Sequence, residues 1–211
     1  MDYSRKALQK KRKMLTSSNR RMASKLGVMT FRFALVLFVA CIFCGTFAAL
    51  GVINGIIDSA PSIDTIDVSP EGYSTTIYDA KGNVTQKLVG QNANRIYVTL
   101  DQVPECVYNA FVAIEDERFW THKGIDVRGI FRAASFVLKN GDLSQGASTL
   151  TQQLLKNTVF DGGSETSNLA KIKRKVQEQY LAVQLEGRLD KKTILEYYLN
   201  TINLGQNTLG V

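Results

Sequence analysis

The chain has a single histidine, His122, in 211 residues. That removes metalloproteases of the H-E-x-x-H kind, which need two histidines on one helix face. Cysteine is almost as scarce, with three in all. Cys41 and Cys44 sit inside an uncharged stretch and Cys106 is the only one elsewhere, so no disulfide can form within residues 58–211. The Cys41-x-x-Cys44 pair has no second ligand pair to complete a structural zinc site. What folds must stand on a hydrophobic core. Internal repeats and low-complexity tracts are absent. Charge is missing where it is most informative. Residues 33–57 carry none, and residues 1–32 carry one acid, Asp2, against ten Lys and Arg.

The net charge of +7 is therefore uneven: residues 1–32 carry +9 and residues 58–211 carry −2. The 25 uncharged positions from Phe33 to Ile57 would span about 38 Å as a helix, against about 30 Å of bilayer hydrocarbon. A transmembrane signal-anchor helix is expected at 33–57. The positive-inside bias puts the basic tail, 1–32, in the cytoplasm and residues 58–211 outside. A cleaved signal peptide would have a shorter basic region and an apolar core of about 7–15 residues, so an uncleaved anchor fits better. A lipoprotein site at Cys41 is disfavoured because the apolar run continues to Ile57. The basic tail needs no nucleic acid to explain it, since topology and anionic lipid headgroups suffice beside a membrane span.

Residues 58–100 read as an extracytoplasmic linker with a β-hairpin. Its strands are Tyr73–Tyr78 and Val84–Val89, joined by the turn Asp79-Ala-Lys-Gly-Asn83. Arg95–Val98 reads as a further short strand. From Pro104 the pattern becomes helical, with Val107, Phe111 and Ile114 at 3–4 spacing. A second helix is predicted over Val127–Asn140, with Ile130, Phe131, Ala134, Val137 and Leu138 on its apolar side and Gly141 as its stop. A short helix carries Thr149–Lys156, and Asp161–Ser167 is loop. The long helix 168–186 has Leu169, Ile172, Val176 and Val183 on one stripe and Lys171, Arg174, Lys175 and Glu178 opposite. Asp190 caps a last helix through Leu199. The sequence ends at Leu209-Gly-Val211 without a helix stop, so the domain expected over 101–211 reads as incomplete at its C-terminus.

Four segments carry polar chemistry. The first is Glu115-Asp-Glu-Arg-Phe-Trp-Thr-His-Lys-Gly124. If its helix continues, Glu115, Phe119 and His122 share one face. A carboxylate on an apolar face is costly to bury and usually has a task. The alternative is a helix end whose acids point into water. The second is Gly146-Ala-Ser-Thr-Leu-Thr-Gln-Gln153, rich in donors and acceptors, or else an ordinary helix start capped by Ser148 or Thr149. The third is Arg174-Lys-Val-Gln-Glu178, whose ends are i, i+4. Its alternative is a solvated ion pair worth about 0.3 kcal/mol. The fourth, Lys192-Thr-Ile-Leu-Glu-Tyr-Tyr-Leu-Asn200, reads as a helix docking through Ile194, Leu195, Tyr198 and Leu199.

In this order the four segments resemble the family 51 peptidoglycan glycosyltransferases, the transglycosylase domain of class A penicillin-binding proteins and their monofunctional relatives. The family patterns E-D-x-x-F-x-x-H-x-G, G-x-S-T-[IL]-T-Q-Q, R-K-x-x-E and K-x-x-I-L-E-x-Y-L-N all occur without a mismatch, and a glycine-rich one begins at Gly205. The resemblance runs from about Ser74 to Val211. It implies a mainly α, lysozyme-like glycosyltransferase domain, preceded by one transmembrane helix and the hairpin linker. It implies polymerisation of lipid II, with the growing glycan chain as donor, inversion at the anomeric carbon and release of undecaprenyl pyrophosphate. Glu115 would be the base, with a pKa raised by Phe111, Ile114 and Phe119. Glu178 would be the second carboxylate, assisting the leaving group or holding its cationic partners. Asp116 and Phe119 would belong to the substrate site by their place in the first pattern. Ser148, Thr149, Gln152 and Gln153 would orient sugar or phosphate, while Lys156, Arg174 and Lys175 would offset the pyrophosphate charge. No metal cluster is called for. A divalent cation, Mg or Mn, would come with the pyrophosphate. Expected partners are the membrane and other cell-wall synthesis and division proteins, not nucleic acid.

Two departures stand out. Many members carry Arg where this chain has Ala170, which puts one pyrophosphate contact in doubt, and the loop between the second and third patterns is long. Two carboxylates across a sugar site would also suit a glycan hydrolase, but the cations around Glu178 favour a phosphate leaving group. The non-enzymatic alternative is a membrane-anchored scaffold. The S-x-x-K and K-T-G patterns of a penicillin-binding transpeptidase are absent from these 211 residues, so penicillin binding is not assigned to them.

Overall fold

The computed structural model describes residues 4–16, 18–88, 95–141, 146–205 and 208–211. The chain divides into two compact units, Met1–Gly55 and Ile56–Val211. The first contains α1, Arg5–Thr16, and most of α2, Ser18–Asp58. Within α2, Lys25–Asp58 is long and apolar enough to cross a membrane. The helix begins well before the expected span, because Arg, Lys, Met and Leu are good helix formers and residues 18–32 hold no proline to stop it.

In the second unit a hairpin comes first, β1 (Thr75–Tyr78) and β2 (Val84–Leu88), antiparallel with Thr75 opposite Leu88. Asp79 builds its turn by accepting from the Lys81 and Asn83 amides, both at 2.8 Å. The end of the expected second strand, Val89, lies outside the described residues. The expected strand at Arg95–Val98 is reduced to one bridge between Arg95 and Tyr73. The following residues are extended because they bind α7 rather than another strand. Asn200 donates to the Val98 carbonyl at 2.8 Å and accepts from its amide at 2.9 Å, while Glu196 accepts from the Leu100 amide at 2.7 Å. The fourth pattern thus clamps an extended segment, in addition to docking through Ile194, Leu195, Tyr198 and Leu199, which lie in the core. Residues 58–72 are not all loose linker, since Val68 is buried in the core and Ile63 and Ile66 pack on it.

Five helices follow: α3 (Glu105–Glu115), α4 (Val127–Asn140), α5 (Leu150–Thr158), α6 (Asn168–Glu186) and α7 (Lys191–Thr201). A small pair, β3 (Asn203–Gly205) and β4 (Thr208–Leu209), closes the described chain. The caps match the sequence reading. The Thr149 side chain accepts from Gln152, Asp190 accepts from Thr193, and Gly141 ends α4 at φ 68°. The core is α5 set between α6 and α7. Leu150, Leu154 and Leu155 meet Leu181, Ala182 and Leu185 on one side and Ile194, Leu195 and Leu199 on the other.

Two helices depart from expectation. On α6 the stripe Leu169, Ile172 and Val183 is exposed, while Arg174, Gln177 and Glu178 are buried with Leu181 and Leu185. On α4 only Gly129 is buried, and Phe131 and Leu138 face outward. Ile114 of α3 is likewise 82% exposed instead of packing beside Phe111.

Candidate active site

The α3 helix stops at Glu115 and does not carry on through His122. Asp116 adopts φ −156°, ψ 71°, which ends the helical path and separates the side chains predicted to share a face. Glu115 is consequently exposed, so the apolar enclosure expected around it is absent. Its neighbour takes the interior place. Asp116 lies 2.9 Å from His122 Nε2 and accepts from the Leu150 amide at 3.0 Å. Phe119 is fully buried, with Lys191 Nζ 4.4 Å above its ring. Asp116 and Phe119, expected to meet substrate, are instead parts of the interior that places the loop. His122 is a hydrogen-bonded support within that interior.

Gly124 fixes the far end of that loop. Its φ is 88°, and a Cβ there would come within 2.6 Å of the Ala182 backbone on α6. Only glycine tolerates both conditions. The close approach brings the Gly124 carbonyl to Thr149 Oγ1 at 2.8 Å and Gln152 Nε2 at 3.2 Å. Thr149 and Gln152 are buried, and their polar atoms serve this clamp rather than an open site. Between Gly124 and its neighbours, Arg118 forks onto Asp126, with Nε 3.1 Å from both carboxylate oxygens. This bidentate contact holds the Asp126 carboxyl down at about 2.

The groups left for chemistry stand at the two ends of 148–153. At one end Gln153 Nε2 donates to Glu115 Oε2 at 2.9 Å, leaving Glu115 Oε1 open among the described residues. Tyr198 stands behind, its hydroxyl 3.5 Å from Gln153 Oε1. Burial, and then the Glu115 charge, push the Tyr198 phenol well above its usual range. Sequence reading gave Tyr198 only a docking role. Its reach toward Gln153 had no signal in spacing, because the two residues meet across helices.

At the other end Lys175 Nζ donates to Ser148 Oγ at 3.0 Å and to Glu178 Oε2 at 2.6 Å. Arg174 donates to Glu178 Oε1 through Nη1 and to Glu165 through Nε at 2.8 Å. Glu178 is completely buried with both oxygens occupied by cations. This arrangement favours the second of its two expected roles, holding the basic residues, over direct attack or protonation. The loop residue Gly163, at φ 79°, lies against Arg174 and Lys156, where a Cβ would be 2.9 Å from the Arg174 guanidinium carbon and 3.1 Å from Lys156 Cε. Glu165 was not singled out in the sequence. Arg174 holds its carboxyl below the usual range.

Comparison with known proteins supplies the family. The family described as Transglycosylase matches residues 81–211, well over half of the chain. The chain belongs to this transglycosylase family, and its mostly helical fold is of the lysozyme-like kind. Penicillin-binding protein 1A of Clostridium novyi is 45% identical over 167 residues, 77% of this chain and 19% of that protein. Penicillin-binding protein 1A of Clostridium tetani is 38% identical over 204 residues, 95% of this chain and 24% of that protein. The Escherichia coli K12 protein of the same name is 41% identical over 182 residues, 85% of this chain and 20% of its own length. The chain spans about a fifth to a quarter of the length of these relatives.

Proposed function

We propose that this chain is a peptidoglycan glycosyltransferase that polymerises lipid II at the outer membrane surface and releases undecaprenyl pyrophosphate. One observation carries the reading: a single short segment, 148–153, holds an open carboxylate at one end and a lysine–arginine cluster at the other. The acceptor 4-hydroxyl loses its proton to Glu115 as its oxygen attacks the donor's anomeric carbon from the face opposite the leaving group. The C–O bond to the pyrophosphate breaks, configuration inverts, and the charge that develops on the leaving phosphate is met by Arg174 and Lys175. Lys156, beside Arg174 across Gly163, adds to that field. Ser148 and Gln153 set the two ends. Glu178 keeps the two cations together.

A resident metal does not fit these residues. Glu178 has both oxygens on cations, and among the described residues no group of three or more His, Cys, Asp or Glu could hold an ion. A divalent cation would arrive on the pyrophosphate, and no protein step depends on it. Placement at the membrane follows from the apolar helix within α2, with the basic segment before it favouring a cytoplasmic N-terminus. Outward apolar side chains on α4 and α6 suit contact with an apolar surface.

The deciding experiment is polymerisation of purified lipid II in liposomes by the wild type and by Glu115→Gln. Glycan chains from the wild type alone, with the variant slower by about 10² to 10⁴, are expected. Chains from both would remove Glu115 as the base. Chains from neither, with folded protein, would sink the reading and leave the anchored scaffold.

A further inference from the structure

Glu186 belongs to none of the four sequence patterns, yet it stands at the centre of a buried polar chain. Its side chain is 4% exposed. Oε1 accepts from Thr151 Oγ1 at 2.5 Å, and Oε2 lies 2.7 Å from Lys191 Nζ. His122 Nδ1 is 3.4 Å from Lys191 Nζ and 3.8 Å from Glu186 Oε1. The other ring nitrogen, Nε2, is on Asp116, which accepts from the Leu150 amide. The chain therefore leaves α5 at Thr151 and returns to it one residue earlier, at Leu150. It joins the first, second and fourth patterns through an acid on the last turn of α6.

Buried ion pairs add little net stability over well-packed apolar side chains. Stability alone does not account for His122, Asp116, Glu186 and Lys191 sharing one interior site. Geometry does. The first turn of α5 has unpaired backbone donors by construction, and its direction depends on what accepts from them. Asp116 accepts at Leu150 and Glu186 grips the next side chain. That turn carries Gln153, and Ser148 lies just before its cap Thr149; they reach Glu115 and Lys175. An error of about 1 Å there would be felt at both chemical groups.

We propose that Glu186 is a positioning residue for glycosyl transfer: it fixes the first turn of α5, and through it the placement of Gln153 against Glu115 and of Ser148 against Lys175. This rests on the transferase reading above.

The test compares Glu186→Gln with Ile194→Val, a core change on α7 outside the polar chain, in the full protein. Two readouts are taken. Amide hydrogen exchange is followed at Leu150–Gln153, and lipid II polymerisation is resolved into kcat and KM. Glu186→Gln should speed exchange at those amides and lower kcat by about tenfold to a hundredfold, with KM within about twofold. Ile194→Val should do neither at matched thermal stability. Unchanged exchange in Glu186→Gln, or a kcat loss no greater than that of Ile194→Val, overturns the proposal. Thr151→Val, which removes only the hydroxyl that Glu186 accepts, replaces Glu186→Gln if the latter fails to fold and is judged by the same outcomes. If the wild type makes no chains, the transferase reading fails by itself, and exchange at Leu150–Gln153 still decides whether Glu186 holds α5.

Discussion

Helices α5 and α7 bury their apolar residues, whereas α4 and the N-terminal half of α6 leave large ones exposed. Leu150, Leu154, Ile194 and Leu199 are sealed in the core, while Phe131, Leu138, Leu169 and Ile172 face the surroundings. On α6 an arginine, a glutamine and a glutamate share the interior with Leu181, Ala182 and Leu185. Periodicity locates a stripe but does not say which medium the stripe meets. In a chain with an apolar helix long enough to cross a membrane, two such media exist. The contrast separates a packed half, where shape decides energy, from an outward half, where the surroundings do.

Core truncation should give the largest effect on stability. Leu154→Ala removes a fully buried side chain from the centre of α5 and should cost about 2–5 kcal/mol in denaturant unfolding. Leu138→Ala, at a residue 88% exposed, should cost about 0.5 kcal/mol or less. Equal losses would break the comparison.

The buried ion cluster on α6 comes next. Glu178→Gln leaves Arg174 and Lys175 without the anion between them. Removing one partner of a buried pair typically costs about 3–5 kcal/mol. A value near the low end is expected, because Lys175 is partly exposed and Arg174 keeps Glu165. Thermal unfolding measures it. No loss would mean that the inward polar face of α6 is not held by this acid.

Local signals were legible, and tertiary ones were not. Asp79, Gly82, Thr149, Asp190 and Gly141 act within a few residues of themselves, and each sits where its chemistry placed it. The docking role of the fourth pattern was also readable, since Ile194, Leu195, Tyr198 and Leu199 lie in the core; its clamp through Glu196 and Asn200 was not. Of three site features, one was legible only as an alternative and two escaped. The end of α3 at Glu115 is set by the Asp116 bonds to His122 and Leu150, across 34 residues of sequence in the second case. Phe119 was placed in the substrate site by its position in the first pattern, yet it is fully buried and Lys191 covers it from α7. Glu186 had no pattern at all, because its partners come from three other elements.

A titration sharpens the contrast on the loop that leads into α4. Arg118, by its side-chain hydrogen bonds, lowers the Asp126 carboxyl from 3.8 to about 2, while partial burial opposes it. The group is depressed in the folded state, so its contribution is present above the unfolded value near 3.8 and is lost as pH falls toward 2. Solvent screening limits it to about 1 kcal/mol. Arg118→Met should flatten that part of the stability curve and leave the neutral-pH slope alone. A curve unchanged between pH 4 and 2 (about the two pKa limits) would mean that the pair contributes nothing.

The smallest stability effect should accompany a clear functional one, and it tests the outward half directly. Phe131→Ser and Leu138→Ser change only exposed positions on α4, so unfolding free energy should move by about 0.5 kcal/mol or less. Each nevertheless removes apolar area that, at about 25 cal/mol per Å², would favour an apolar surface. Polymerisation in liposomes should then fall several-fold, while polymerisation in detergent, where substrate and enzyme share a micelle, stays near wild type. An equal fall in both settings would place α4 in the chemistry and not at the surface. No fall in either would leave its exposed stripe without a role in substrate access, and the difference between the two halves would then be one of packing alone.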